Sequence, residues 1–276
     1  MSREVETAYA KINLALHVRE RMPDGFHRIE TIFAFCEDGD ELSLQGEAEL
    51  AVEVDGQFAD QLQGAPSNLV LDAASLLLRK RSETASGSPD RGARITLTKN
   101  LPVASGIGGG SADAAATLRL LDRHWNLGWP VERLEQIGRE LGADVPACVR
   151  SETARGTGRG DALEPADLGL SGTPVLLINP RVSLSTADVF ARWDGDDHGP
   201  LDDWKQGRND LEEAATALVP QISAVLAWLS AQSGAQAVRM SGSGPTCFAL
   251  FEGEADRDKA ATAVPREWWR LATRLR

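Results

Sequence analysis

Between residues 8 and 18 apolar and polar side chains alternate, with Ile12, Leu14, Leu16 and Val18 on one side and Lys11, Asn13, Ala15 and His17 on the other. That period of two predicts a half-buried strand, and it sets the Lys11 ammonium and the Asn13 amide on one face about 7 Å apart. Read from the strand alone, such a face is as readily a solvated one. Pro23-Asp24-Gly25 predicts a turn, because proline presets φ and glycine accepts a positive one, and a second strand follows over residues 28–36. Asp38-Gly39-Asp40 predicts another turn, after which residues 41–44 and 49–54 read as strands of an antiparallel sheet with one wet face.

Helical spacing takes over at Ser67-Asn68, a capping pair ahead of Leu69, Leu71, Ala74, Leu77 and Leu78. Residues 84–92 carry no period and predict a mobile loop, and residues 94–99 form a strand feeding a glycine-rich run. Past that run Ala114, Ala115, Ala116, Leu118, Leu121 and Trp125 recur at helical spacing, with Arg119, Asp122 and Arg123 opposite. A further helix spans residues 130–141, stopped by Gly142. The second half offers an apolar strand over 173–180, helices opening near 208 and 221, a strand, glycine turn and strand over 237–251, and a last helix and strand. Alternating strands and helices predict an α+β architecture.

With 276 residues there is room for one large or two modest domains. Forty-one acidic against 29 basic side chains give a net charge of -12, which argues against general nucleic-acid or anionic-membrane binding. An anionic substrate would need local donors. Cys36, Cys148 and Cys247 lie far apart, without a Cys-x-x-Cys pair or clustered histidines, so neither a zinc site nor a disulfide framework is indicated and the three read as buried thiols. The first six residues lack the apolar core of a signal peptide, and no stretch approaches ~18 uninterrupted apolar residues. A soluble, cytoplasmic protein is expected; its oligomeric state is not legible.

The chemistry concentrates in Leu101-Pro102-Val103-Ala104-Ser105-Gly106-Ile107-Gly108-Gly109-Gly110-Ser111-Ala112-Asp113-Ala114-Ala115. Its glycines remove the Cβ atoms that would keep a ligand off the backbone and let successive N–H groups point one way. A helix begins directly afterwards. The unpaired N–H groups of a first helical turn and the positive end of its dipole favour a phosphate, so the run reads as a nucleotide phosphate site. Ser111 adds a hydroxyl where phosphate or Mg²⁺ would lie. Two better-known phosphate loops are excluded: the dinucleotide fingerprint needs Gly or Ala where Ser111 stands, and the chain has no Gly-Lys pair for a Walker loop. A flexible glycine linker is the remaining alternative, but linkers rarely lead into an alanine-rich amphipathic helix.

The run Pro-x-x-x-Gly-Ile-Gly-Gly-Gly-Ser-x-Asp-Ala-Ala resembles the phosphate loop of the GHMP small-molecule kinases, named for galactose, homoserine, mevalonate and phosphomevalonate. Further segments resemble that family in order: Ala-Lys-Ile-Asn-Leu at 10–14, Asp-Gly-Phe-His at 24–27, Gly-Ala-Asp-Val-Pro at 142–146, the loop and helix at 182–190, Asn-Asp-Leu-Glu at 209–212 and the glycine turn at 241–245. The N-terminal segments are similar to the branch that phosphorylates 4-diphosphocytidyl-2-C-methyl-D-erythritol. Phe26 stands where that branch more commonly has Tyr, which keeps a stacking face and loses a hydroxyl.

The resemblance implies the GHMP kinase fold, an N-terminal domain over 1–153 and a C-terminal domain over 154–276, with the active site in the cleft between them. It implies ATP as phosphoryl donor with Mg²⁺, no protein metal cage, and the C2 hydroxyl of that cytidine compound as acceptor, a small-molecule partner. Asp144 is implied as catalytic base, with Lys11 beside it to stabilise developing negative charge; read blind, Asp144 could be only a turn residue before Pro146. Pro102 through Ala112, with Asn68, Leu69 and Lys99, would hold ATP; unaided, Asn68 is equally a helix cap and Lys99 an exposed strand-end charge. Asn13, Phe26, His27, Thr186 and Phe190 would hold the substrate, the two phenyl rings sandwiching cytosine. Without the resemblance Phe26 reads as core, His27 as surface, and Thr186 and Phe190 as a helix cap and a core residue. The segment at 241–245 is expected to buttress the phosphate loop, and it lacks the Gly-x-Ser-x-Gly of a hydrolase nucleophile elbow. Flat aromatics favour a pyrimidine over mevalonate, homoserine or a sugar, the acceptors of other family members. A catalytically silent ATP-binding relative is the alternative from outside the enzymes.

Overall fold

A computed structural model describes residues 4–63, 68–84 and 92–276. The cap reading at Ser67 and residues 85–91 of the aperiodic segment lie outside them. By compactness the chain divides into two units: residues 1–10, 38–103 and 108–151 form the first, and residues 11–37, 104–107 and 152–276 the second. Each has α+β architecture.

In the first unit β2 (His27–Glu47) pairs antiparallel with β4 (Gly92–Thr98), Leu42 opposite Leu97 and Leu44 opposite Ile95. β3 (Ala51–Asp55) then pairs parallel with β4, which corrects the expectation of a wholly antiparallel sheet. The reason is connectivity: a parallel pair needs a crossover, and α1 (Leu69–Thr84) supplies it between β3 and β4. α1 packs on α2 (Gly109–His124), with α3 (Val131–Arg139) and the short α4 (Val145–Arg150) beside it. The alanines of α2 are what permit this, since Ala112, Ala114, Ala115 and Ala116 are all buried and let neighbouring helices approach closely.

The turn expected at Asp38-Gly39-Asp40 does not form; β2 runs through it unbroken. A Cβ on Gly39 would stand 1.9 Å from the carbonyl oxygen of Ala8, so glycine serves close strand approach here, while the Asp40 carboxylate has a buried role described below.

The second unit holds a four-stranded sheet in the order β10-β7-β9-β8, all neighbours antiparallel, from β7 (Pro174–Asn179), β8 (Ala235–Met240), β9 (Cys247–Phe251) and β10 (Trp269–Arg274). β7 and β9 are buried along their whole length, matching their unbroken apolar runs. Leu176, Ile178, Ala249 and Phe251 share a core with α6 (Glu212–Leu218), α7 (Gln221–Ser230) and α8 (Glu254–Ala263). β5 (Ala154–Thr157) pairs with β6 (Ala162–Pro165) and with Thr31–Phe33 of β2.

β1 (Glu4–Arg21) is not half-buried as its alternation suggests: Lys11, Asn13 and His17 are as buried as the leucines between them. Each polar side chain on that face has partners. Asn13 donates its amide to Thr31 Oγ1 at 2.7 Å, and the two nitrogens of the His17 ring meet Gly199 O at 3.0 Å and the Arg208 N–H at 3.3 Å. The three cysteines are buried, each as a thiol and not a disulfide. Among the described residues no helix is long and apolar enough to cross a membrane.

Candidate active site

The glycine-rich run ends in helix α2, whose N-cap, Gly108, adopts φ 64 and supplies no side-chain cap. A helix of 16 residues therefore starts from bare backbone, with the donors of its first turn unclaimed by a capping side chain. Within the first unit Gly110 is exposed, and a Cβ there would touch Leu69 Cδ1 at 3.1 Å, so Leu69 lies against the helix start. Asn68 caps α1 through its Oδ1, which accepts from Val70 N at 2.9 Å. Pro102 is buried; Val103 donates its N–H to Gln61 Oε1 at 3.1 Å. Asp144 is half-buried at the N-cap of α4, followed by Pro146 in the helix's first turn.

Lys99 is 1% exposed, which rules out the exposed strand-end reading. Its ammonium sits between Asp40 and Asp113, 2.6 Å from an oxygen of each. The other oxygen of Asp40 accepts the backbone N–H groups of Asn100 and Leu101, at 2.6 and 2.8 Å. Burial works against the Lys99 charge, but Asp113 and Asp40 outweigh it and hold the ammonium above its ordinary range. Burial drives Asp113 the other way, up to about 7, against the pull of Lys99 and with Asp40 adding to the rise.

In the second unit the first part of the run, Ala104 to Ile107, is clamped to the glycine turn after β8. Ser241 Oγ donates to Gly106 O at 2.8 Å and accepts the Asn13 N–H at 3.1 Å, while Thr246 N donates to Ser105 O at 3.2 Å. Lys11 N donates to Ile107 O at 3.0 Å, and its ammonium reaches Asn13 Oδ1 at 2.9 Å and lies 5.1 Å from the centre of the Phe33 ring. A Cβ on Gly106 would stand 2.3 Å from Ser241 O, so this close approach admits only glycine. Asn209 secures the turn from behind, donating to Met240 O and Gly242 O at 2.8 Å each.

His27 stacks on Phe190 with ring centroids 4.7 Å apart, and Trp193 meets the same imidazole edge-on at 5.5 Å. Burial, with Arg21 nearby, lowers the His27 pKa and favours the neutral ring. Phe26 is 52% exposed; the Arg159 guanidinium lies 4.1 Å from its ring centre and pairs with Asp24. Thr186, exposed at the start of α5 (Thr186–Ala191), shares a 2.8 Å hydrogen bond with Ser243, and Ser185 caps the helix.

Thus the second unit brings together Lys11, Asn13 and residues 104–107, and separately His27 with Phe190. The first unit gathers Leu69, Lys99 and the start of α2. The sequence reading did not single out Asp40, Asp113, Arg159, Trp193 or Ser243. Asp113 alone left a signal: an acid on a helix face otherwise made of buried alanines needs a buried partner.

A family model described as GHMP kinases N terminal domain matches residues 68–152, and one described as GHMP kinases C terminal matches residues 191–271. A protein of Rhizorhabdus wittichii named 4-diphosphocytidyl-2-C-methyl-D-erythritol kinase is 53% identical over 98% of this chain and 94% of its own length. One of Novosphingobium aromaticivorans with the same name is 47% identical over 98% and 92%. A crystal structure of 4-(cytidine 5'-diphospho)-2C-methyl-D-erythritol kinase superposes with a TM-score of 0.81 at 30% identity, covering 99% of both chains. The Methanococcus jannaschii mevalonate kinase, at 10% identity and a TM-score of 0.72, shares the fold. The chain belongs to the GHMP kinase family, in its branch of 4-diphosphocytidyl-2-C-methyl-D-erythritol kinases.

Proposed function

We propose that this chain moves the γ-phosphoryl group of ATP to the C2 hydroxyl of 4-diphosphocytidyl-2-C-methyl-D-erythritol, in the methylerythritol phosphate route to isoprenoid precursors. The observation that carries the reading is the uncapped start of α2 behind a glycine turn, which suits a polyphosphate, in a chain whose relatives bear that enzyme's name over nearly their whole length.

Phosphoryl transfer asks for charge neutralisation, an oriented hydroxyl and a proton acceptor. Residues 102–112 receive the phosphates, and Asn68 and Leu69 border the adenine. Mg²⁺ would offset phosphate charge when bound, with the Ser111 hydroxyl as the side chain that would help hold it. Asp144 takes the proton of the C2 hydroxyl as the hydroxyl oxygen bonds to the γ-phosphorus and the bond from that phosphorus to the bridging oxygen breaks, ADP leaving with the electron pair, and Lys11 stabilises the charge that develops. Asn13, His27 and Thr186 donate to or accept from the substrate, and Phe26 and Phe190 take the cytosine ring; an exposed phenyl and a stacked one are suited to a flat base. The enzyme works in the cytoplasm, where ATP is supplied.

The purified full chain should release ADP with the cytidine substrate and not with mevalonate, with phosphate on C2 by ³¹P NMR. Asp144→Asn should lower kcat roughly 10²-fold or more and leave the Kd for ATP nearly unchanged. Turnover on mevalonate alone would overturn the substrate, and near-normal kcat in Asp144→Asn would overturn the base.

A further inference from the structure

The resemblance makes Lys99 a nucleotide ligand, yet its ammonium is buried between two carboxylates that the reaction does not use. We propose that Lys99, Asp40 and Asp113 form a positioning device that fixes the start of α2 and the strand end before it, so that Lys99 acts on ATP through the backbone and not by touching it. This inference rests on the reading of that helix start as the phosphate site.

The geometry ties three separate pieces of chain to one ion cluster. Asp40 comes from the middle of β2 and holds the N–H groups of Asn100 and Leu101, where β4 gives way to the glycine run. Asp113 comes from the first turns of α2, and Lys99 joins the two. The fit around the ammonium is tight: a Cβ on Gly109 would stand 3.1 Å from Lys99 Nζ and 3.8 Å from Asp40 Oδ2. Gly109, the first residue of α2, is therefore seated directly on the cluster. The second oxygen of Asp113 is buried without a hydrogen-bond partner among the described residues, so Lys99 is its principal hold. A buried, mutually bonded triad is rigid in a way that a surface charge is not, because every displacement exposes an unpaired charge to low dielectric.

The test uses the full chain and the variants Asp113→Asn, Asp40→Asn, Lys99→Met and the double Lys99→Met/Asp113→Asn. Each single variant should raise the ATP KM and Kd about tenfold or more and lower kcat/KM for ATP by up to about 10²-fold, as misplacement of a binding backbone does. The KM for the cytidine substrate should stay within about twofold, a split that general loss of structure would not give. The double variant should be no worse than the poorer single one, since all act through one cluster. Amide exchange should quicken at residues 108–112 in Asp113→Asn, and this near-isosteric change carries the test if Lys99→Met does not fold. A raised ATP Kd in Lys99→Met alone, with both asparagine variants near wild type, would overturn the proposal in favour of direct contact. Parallel rises in both KM values would overturn it in favour of a purely structural role. Failure of the wild-type chain to bind ATP would instead remove the phosphate-site reading beneath it.

Discussion

Lys99 of the first unit and Lys11 of the second are both almost wholly buried, and they are held in different ways. Lys99 bonds two carboxylates at 2.6 Å, whereas Lys11 donates to an amide oxygen and lies over the face of Phe33. Buried ion pairing makes the first lysine a fastener, since its charge is spent on fixing chain. An amide oxygen and an aromatic face orient the second ammonium, the one proposed to stabilise charge on the phosphoryl group in flight. Two lysines, one within a strand and one just past a strand's end, are thus proposed to serve chemistry in the first case and backbone geometry in the second.

The contrast can be broken most forcefully at Lys99. Lys99→Met strands two buried carboxylates and should lower the free energy of unfolding by about 3–5 kcal/mol, read from chemical denaturation. Lys11→Met, at the position proposed to stabilise developing charge, should lower kcat about 10²- to 10³-fold. An unchanged kcat in Lys11→Met would erase the distinction. Phe190→Ala, which unstacks His27, should raise the KM for the cytidine substrate about tenfold and leave that for ATP unchanged.

The gentlest test is pH. Burial lowers the His17 pKa below its usual 6.5, a hydrogen bond to Gly199 partly opposing it. The unfolded chain then binds a proton that the folded chain refuses, so His17 favours the fold above pH 6.5 and the advantage is lost as pH falls through the folded value. Tm should drop between pH 7.5 and 5.5, and His17→Gln should flatten that slope.

Much of this was legible beforehand. The helix behind the glycine run, the apolar strand at Pro174–Asn179 and the buried thiols were readable because burial there follows local periodicity. What local pattern hid was long-range: Asp38-Gly39-Asp40 has turn chemistry, yet close approach of Ala8 and the demand of Lys99 keep it in a strand. The parallel pairing of β3 with β4 was equally silent, since alternation reveals faces and not partners. Lys99 could be placed near the helix start from its motif, but its two carboxylates come from 59 residues before it and 14 after. Trp193 and Arg159 met their aromatic partners from loops with no period at all.

The contact between Gly106 and Ser241 has a practical edge for anyone recombining relatives of this chain. A chimera joined near residue 153 would draw its glycine run from one parent and the serine that grips it from the other, although the two sit 135 positions apart. Libraries that randomise the run should tolerate Ala104→Gly, whose backbone is already left-handed at φ 50, and reject any side chain at Gly106. Shuffling would succeed where both ends of that grip travel together.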